Sequence, residues 1–578
     1  MSPAKGASLW PHQVDAVDAL AAAVRSGGRT TMVAACGTGK TRIGAATVGR
    51  LPGSGRILVV LPTIELLRQT LPVYLAAAAG PALTVIAMCC DATVTQQHEL
   101  HDVADQVVVS TSAQLLADVA GSRKNAAVFS TYMSLPVVGE AHRLGLAGWD
   151  VAVVDEAHRS AGHAGGPWQI VHDDKHIPAA RRIYMTATPK ISKRKSDDHV
   201  SMDDPTVFGK VSYRLTFAQA IELGLLADYR IVVPVVTSDE VHRLTHDRNA
   251  AVQVGGRPMP AAVVATQIAV LKTMAQFGAR RAISYHPRVA DAQAWAATLP
   301  ATARLMPDRA PEVWAGHVSG SQPAATRQQV IGRLAEPGDH LVLVSNAKVL
   351  TEGIDVPAVD AVVFTHPRGE IDAVQAVGRA LRTGGKAGKV ATIVVPLMLA
   401  EGQTPQDALS GSSWEPVWQV LSALRDHDER LDTELRERRR ALADNKTPAV
   451  GREAELPTWL TVTGVNVDAD FAAAITVQAV RATTSTWDEC YGAAQAFQRE
   501  HGHLRIPIDH VTDTGLALGY WWHRQKQYLQ NAPDGDERSQ ALHKLGLSHQ
   551  RRDEAWMTNY NILKALYEQT GQVRPPVR

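Results

Sequence analysis

The stretch AACGTGKT, residues 34–41, lies between an apolar run, TTMVAA, and a helical stretch, TRIGAATVGRL. A loop of this kind needs a strand before it and a helix N-terminus after it, because its backbone N–H groups have to close around an anion. Gly37 and Gly39, on either side of Thr38, allow that closure, Lys40 reaches the outer phosphates of a nucleotide, and Thr41 offers a hydroxyl to magnesium. Ala34 stands where the GxxxxGK[ST] pattern has its first glycine. Taken alone, the loop says only that a nucleotide is bound.

Its surroundings predict the layer it sits in. From about residue 30 to 190, RILVVLP, QVVVS, AAVFST, DVAVVDE and RRIYMTATP alternate with helical stretches, as parallel strands and crossover helices do. RAISYH, HLVLVS, DAVVFT and ATIVVP repeat the pattern between about 280 and 397. The expected fold class is α/β, with two tandem parallel-sheet lobes over residues 1–230 and 231–400. The segment FAQAIELGLLADYRIVVPVV, 217–236, is expected to end the first lobe and cross into the second.

A chain of 578 residues, 45% hydrophobic and 20% charged, fits two or three ordinary domains and excludes collagen-like, disordered and membrane classes. No apolar run approaches bilayer length and the first residues lack a signal-peptide core, so a cytoplasmic address and no membrane partner are expected. Cys36, Cys89, Cys90 and Cys490 form no CxxC pair and read as reduced thiols. A net charge of +1 confines any nucleic-acid grip to a local groove.

The second chemical element is VAVVDEAHRS, 151–160, in which a buried-type strand delivers two carboxylates to the edge where α/β ligands bind. Asp155 is placed to hold magnesium and Glu156 to take a proton from the attacking water. An isolated DEAH string would be a solvated acidic turn; the strand before it and its spacing from the phosphate loop argue against that.

In their order along the chain these segments resemble superfamily 2 DEAH-box helicases, especially the branch with type I and III restriction-enzyme motors. The resemblance covers about residues 9–397 and implies RecA-like lobes, ATP with Mg2+, and nucleic acid, DNA before RNA, as partner. LWPHQ, 9–13, resembles the Q motif, with Gln13 contacting the base. VVLPTIELLRQ, 59–69, and VFSTYMSL, 128–135, resemble strand-gripping motifs, which implies nucleic-acid contacts at Pro62, Thr63 and Thr131. MTATP, 185–189, resembles motif III, and with His158 its Thr186 and Thr188 would couple hydrolysis to movement. VLTEGIDVP, 349–357, resembles motif V, implying a nucleic-acid contact at Thr351 and a nucleotide contact at Asp355. QAVGRALR, 375–382, resembles motif VI, so Gln375, Arg379 and Arg382 would face the nucleotide across the cleft.

Beyond residue 400 the strand signal fades, and 401–480 reads as a charged helical linker whose segment 426–446 is a solvated helix. WDECYGAAQAFQREHGHLRIP, LALGYWWHRQKQYL and LHKLGL resemble the helicase-associated domain, a small all-α module placed at 481–550. Trp487, Tyr491, Gly502 and Pro507 recur at the spacing of Trp556, Tyr560, Gly571 and Pro576, so 551–578 reads as a partial second copy. The incomplete copy raises the expectation of a natural chain continuing past Arg578. In GYWWHRQKQYL, 519–529, helical spacing puts Trp521 and Trp522 on different faces, one of them core, with Arg524 and Lys526 as candidate nucleic-acid contacts. Three functions stay open at this point: a helicase or translocase, a nucleic-acid-stimulated remodeller that does not unwind, and an inactive clamp.

Overall fold

Valine- and isoleucine-rich runs with no polar face form parallel strands covered by helices on both sides. In the first lobe eight parallel strands stand in the order Lys210–Leu215, Gly28–Ala34, Arg181–Thr186, Val151–Val154, Arg56–Leu61, Ala126–Thr131, Thr84–Met88, Val107–Ser110, the first of them, KVSYRL, being the partly exposed edge. The phosphate loop follows the second of these and the DEAH carboxylates the fourth, so both emerge at the same, C-terminal, edge of the sheet.

The computed structural model describes residues 8–547 apart from 78–83, 90–106, 164, 167, 193–198, 238–250, 307–311, 348, 352–358, 368, 387, 400–402, 405–407, 410, 444–455 and 533–534. Beyond 547 it describes residues 560, 563–565 and 567–568. The second copy of the repeat, with Trp556, Gly571 and Pro576, therefore falls almost wholly outside the described residues.

The second lobe is built on Val313–Val318, Leu341–Asn346, Arg281–Tyr285, Ala361–Phe364, Val390–Val394 and Asp228–Val236, again parallel. The chain crosses between lobes after the helix Phe217–Glu222. The stretch 401–480 is not merely a linker. Leu460–Thr463 is a strand that pairs with Asp228–Val236, Leu460 opposite Ile231. Ile231 also faces Ile393 of the neighbouring strand, so Leu460–Thr463 covers the other edge. Before it, the helix Glu415–Arg425 packs against Glu370–Ala380, with Trp414 stacked on Trp418.

The chain divides into two compact units, Met1–Leu431 with Leu456–Phe471, and Asp432–Glu455 with Ala472–Arg578. In the second, helices Thr486–His501, Leu518–Asn531 and Glu537–Lys544 close over Trp487, Tyr491, Phe497, Trp522 and Leu542. The helix Glu429–Ala441, expected to be solvated, has one face buried against this module. Arg439 and Glu489 pair at 2.6 Å with both side chains almost fully covered, and Arg440 reaches Asp488 at 3.0 Å. Interleaved charge had hidden that face, because acidic partners for its arginines come from a distant helix. Among the described residues no helix is long and apolar enough to cross a membrane.

Candidate active site

Gly37 and Gly39 have φ of 86° and 88°, in the left-handed region that glycine enters at little cost. Gly39 has a second constraint, since a Cβ there would lie 2.3 Å from Gln13 Nε2. Thr38 Oγ1 donates to the Ala35 carbonyl at 2.7 Å, tightening the loop before it opens into the helix Lys40–Arg50. The first N–H groups of that helix have no intrahelical acceptor and carry its positive end. Thr41 is half-buried in this first turn.

The Thr38 carbonyl is held from outside, by His12 Nε2 at 2.9 Å and Gln13 Nε2 at 3.3 Å. Gln13 Oε1 accepts the Trp10 N–H at 3.1 Å. Both ends of the Gln13 amide thus engage protein, and the residue the motif assigns to the base also braces the phosphate loop. His12 does the same work without any motif signal beyond its place beside Gln13.

Lys40 Nζ donates to the Ala34 carbonyl at 3.3 Å. Burial opposes its charge, but the acidic groups around it, Cys36, Glu156 and Asp155, outweigh that and raise its pKa. The strand Val151–Val154 runs straight into those carboxylates. Glu156 has φ of 46°, the one positive value outside glycine among the described residues, a conformation that costs on the order of 1–3 kcal/mol and persists where neighbours enforce it. Asp155 Oδ1 accepts the Glu156 N–H at 2.9 Å, and the Tyr132 hydroxyl donates to the Asp155 carbonyl at 2.8 Å.

The two carboxylates differ electrostatically. Burial, then the charge of Glu156, pushes the Asp155 pKa up, which marks a carboxylate short of a cation. Burial acts on Glu156 in the same direction, but His158 and Lys40 more than offset it and hold Glu156 below the usual carboxylate range. An ionised Glu156 can accept a proton. His158 Nδ1 lies 3.1 Å from Thr186 Oγ1, 3.4 Å from Glu156 Oε2 and 3.5 Å from Thr188 Oγ1. The three expected coupling residues therefore form one cluster beside Glu156.

From the second lobe, the helix Glu370–Ala380 presents Gln375 and Arg379, both buried. A Cβ on Gly37 would meet Arg382 Cγ at 3.2 Å, so Arg382 lies on the phosphate loop. Just past the crossing between the lobes, the Ala227 N–H donates to the Leu381 carbonyl at 2.6 Å and ties the incoming chain to the turn that carries Arg382. Gln375 Nε2 and Oε1 are buried and hydrogen-bond to nothing among the described residues. Buried polar atoms left this way ask for a ligand, and with the N–H groups, Lys40 and Asp155 they fit a nucleoside triphosphate and a divalent cation.

Pro62 and Thr131 follow or end neighbouring strands, Leu61 standing opposite Thr131. Pro62 is buried; Thr131 Oγ1 lies 3.0 Å from Ser134 Oγ, and Thr63 Oγ1 caps its helix by accepting the Leu66 N–H at 3.2 Å. Thr351 ends the short turn Val349–Thr351, and Asp355 lies outside the described residues. In the C-terminal module Arg524 is exposed and Lys526 half-buried. The aromatic ring open to solvent beside them is Tyr520, 59% exposed, whereas Trp522 is core.

Three family models match in order along the chain: Type III restriction enzyme, res subunit, over residues 7–191; Helicase conserved C-terminal domain over 270–384; and Helicase associated domain over 484–549. A protein of African swine fever virus (Tick/Malawi isolate) named "Probable helicase" is 25% identical over 384 residues, 64% of this chain and 39% of the viral protein. The chain thus spans about two fifths of the length of such curated relatives. Among solved structures, the ATP-dependent Type ISP restriction-modification enzyme LlaBIII bound to DNA is similar over 95% of this chain and 40% of that one, with a TM-score of 0.67 and 22% identity. A nuclease-deletion mutant of the Type ISP enzyme LlaGI with a DNA substrate mimic is similar over 99% and 44%, with a TM-score of 0.56 and 19% identity. With the two parallel-sheet lobes and the ordered motifs between them, these matches support a superfamily 2 helicase of restriction-motor type with a helicase-associated domain.

Proposed function

We propose that the chain is a DEAH-type ATPase that couples hydrolysis of ATP to movement along nucleic acid, DNA before RNA. One observation carries this reading: Lys40, Asp155 and Glu156 of one lobe and Arg382 of the other meet at the same phosphate loop. Thr41 and Asp155 would hold Mg2+, which when bound neutralises charge on the transferred phosphate. Lys40 holds the outer phosphates, and Glu156 takes the proton of the attacking water at Oε2.

Arg379 and Arg382 come from the second lobe, so their charge is in place only while the lobes are together. An arginine supplied this way accelerates related NTPases by about 10³ to 10⁵, which makes turnover depend on lobe closure. The His158, Thr186 and Thr188 cluster lies next to the base and would carry that dependence into the first lobe. Pro62, Thr63, Thr131 and Thr351 mark the track-facing edges, with Arg524 and Lys526 adding a second hold. DNA is the first track to test because the restriction enzymes that share this fold were solved with DNA or a mimic of it. An inactive clamp would carry damage at the catalytic positions, and Lys40, Asp155, Glu156, Gln375, Arg379 and Arg382 are all present.

Phosphate release measured with no polymer, single-stranded DNA, duplex DNA and RNA tests the reading. Lys40→Ala should lose nucleotide binding and turnover, while Glu156→Gln should bind ATP, fail to turn over and stay on the polymer. Near-normal turnover in Glu156→Gln would remove that residue as the base. Strand-displacement and triplex-displacement assays in parallel separate unwinding from translocation.

A further inference from the structure

The helix Glu370–Ala380 ends among the arginines that reach the cleft, and the last carbonyls of a helix have no donor within it. Lys389 supplies one. Its Nζ donates to the carbonyls of Ala380 at 2.7 Å, Arg382 at 2.5 Å and Val359 at 2.6 Å. Three acceptors match an ammonium, which has three N–H donors and no lone pair. Ala380 stands between Arg379 and Arg382, and Val359 lies two positions past the end of the segment that resembles motif V.

We propose that Lys389 is a positioning residue for hydrolysis: by tying the Ala380 and Arg382 carbonyls to that of Val359, it fixes the direction in which Arg379 and Arg382 enter the cleft. The inference rests on the ATPase reading above. Backbone geometry carries it, because the guanidinium of Arg382 lies on Gly37 while the carbonyl of the same residue is held by Lys389. A shift of the turn at 380–382 would therefore move the finger.

Charge in this corner makes the tie sensitive to pH. Burial lowers the Lys389 pKa to about 8, with Asp360 acting the other way and Lys386 and Arg382 adding to the fall. Asp360 is itself engaged by the N–H groups of Arg280 and Arg281, at 3.2 and 3.1 Å, and by Lys386 Nζ at 3.7 Å. A neutral amine has two donors and a lone pair, so it cannot serve three carbonyls. The tie is complete below the Lys389 pKa and loses a donor as pH rises through it.

The test is steady-state ATP hydrolysis by the full chain with saturating polymer, across pH, for wild type, Lys389→Met and Lys389→Arg. Lys389→Met should lower kcat by about 10- to 10²-fold, the loss expected when a catalytic group is displaced by about 1 Å. Its KM for ATP should stay within about twofold of wild type, because the lost interaction acts in the transition state. Lys389→Arg should recover part of the rate and lack the alkaline fall in kcat that wild type should show above pH of about 8. A plain helix cap would shift the melting temperature without this split between kcat and KM or the change in pH profile. Wild-type kcat in Lys389→Met, or an unchanged alkaline fall in Lys389→Arg, overturns the inference; the arginine variant alone decides if the methionine variant does not fold. Absence of turnover in wild type overturns the ATPase reading, and this one with it.

Discussion

Cys36 of the phosphate loop and Gly378 of the second lobe are in direct contact: a Cβ built on Gly378 would fall 2.7 Å from Cys36 Cβ. No real pair of Cβ atoms sits so close, so an alanine there has to push the lobes apart or distort the loop.

Gly378→Ala should therefore act on the closed cleft. Overpacking of this size costs about 1–3 kcal/mol, and each ~1.4 kcal/mol lost from the closed state lowers turnover about tenfold. Adding Cys36→Gly, which removes the opposing Cβ, should restore the rate. Polymer-stimulated phosphate release checks both, and an unchanged rate in Gly378→Ala would show that the cycle does not use this contact.

His172 gives a stability prediction in pH. Its Nδ1 accepts from the Tyr184 hydroxyl at 2.9 Å and its Nε2 donates to the Ser160 carbonyl at 3.2 Å. Burial first, then the charges of Arg29 and Arg182, lower its pKa from 6.5 to about 4. The folded state thus resists a proton that the unfolded chain takes up below 6.5. Stability present above that pH should fall as pH drops toward 4, by about 2 kcal/mol at pH of about 5 for this group alone. Urea unfolding at two pH values, compared with His172→Gln, measures it; equal losses in both proteins would exclude the mechanism.

The aromatic residues of the helix Leu518–Asn531 should divide by exposure. Tyr520 is 59% exposed with the Arg524 guanidinium 5.9 Å over its ring, while Trp522 is 1% exposed. Tyr520→Ala should weaken binding to single-stranded nucleic acid by ~1–3 kcal/mol, the worth of one stacked base, and leave the basal ATPase and melting temperature alone. Trp522→Ala should instead destabilise the module by about 3–5 kcal/mol. Anisotropy titrations at matched low salt decide, and wild-type affinity in Tyr520→Ala would place the second hold elsewhere.

The buried pair Arg439 and Glu489 predicts a non-additive pair of variants. Glu489→Leu alone leaves a covered guanidinium without its carboxylate, at a cost of about 3–5 kcal/mol. Arg439→Met in the same chain should recover most of that in thermal unfolding. If the single change is silent, the pair contributes nothing to the module.

Where chemistry depends on a short run of backbone, the sequence was legible. AACGTGKT and VAVVDEAH imply their own strand and turn, and both stand at the sheet edge where such elements end. Residues whose role comes from distant carbonyls were not. His12 and Lys389 act on Thr38, Val359 and Arg382 through contacts that no spacing rule anticipates. The strand Leu460–Thr463 escaped because four residues, two of them threonine, carry little hydrophobic signal apart from the sheet they join. The buried face of Glu429–Ala441 escaped because its partners, Asp488 and Glu489, lie some fifty positions away.

That strand has a consequence for how the protein is made. The chain leaves the second lobe after Leu431 and comes back at Leu456 to finish it. While a ribosome is still synthesising the intervening arm, the edge formed by Ile231, Val232 and Val233 has no neighbour on that side. An unpaired apolar edge of this kind invites pairing with another chain, so nascent chains, and any fragment ended near residue 400, should be the most aggregation-prone forms of this protein. Emergence of Thr463 ends that interval, and a gene fragment meant to yield a well-behaved second lobe has to run at least that far.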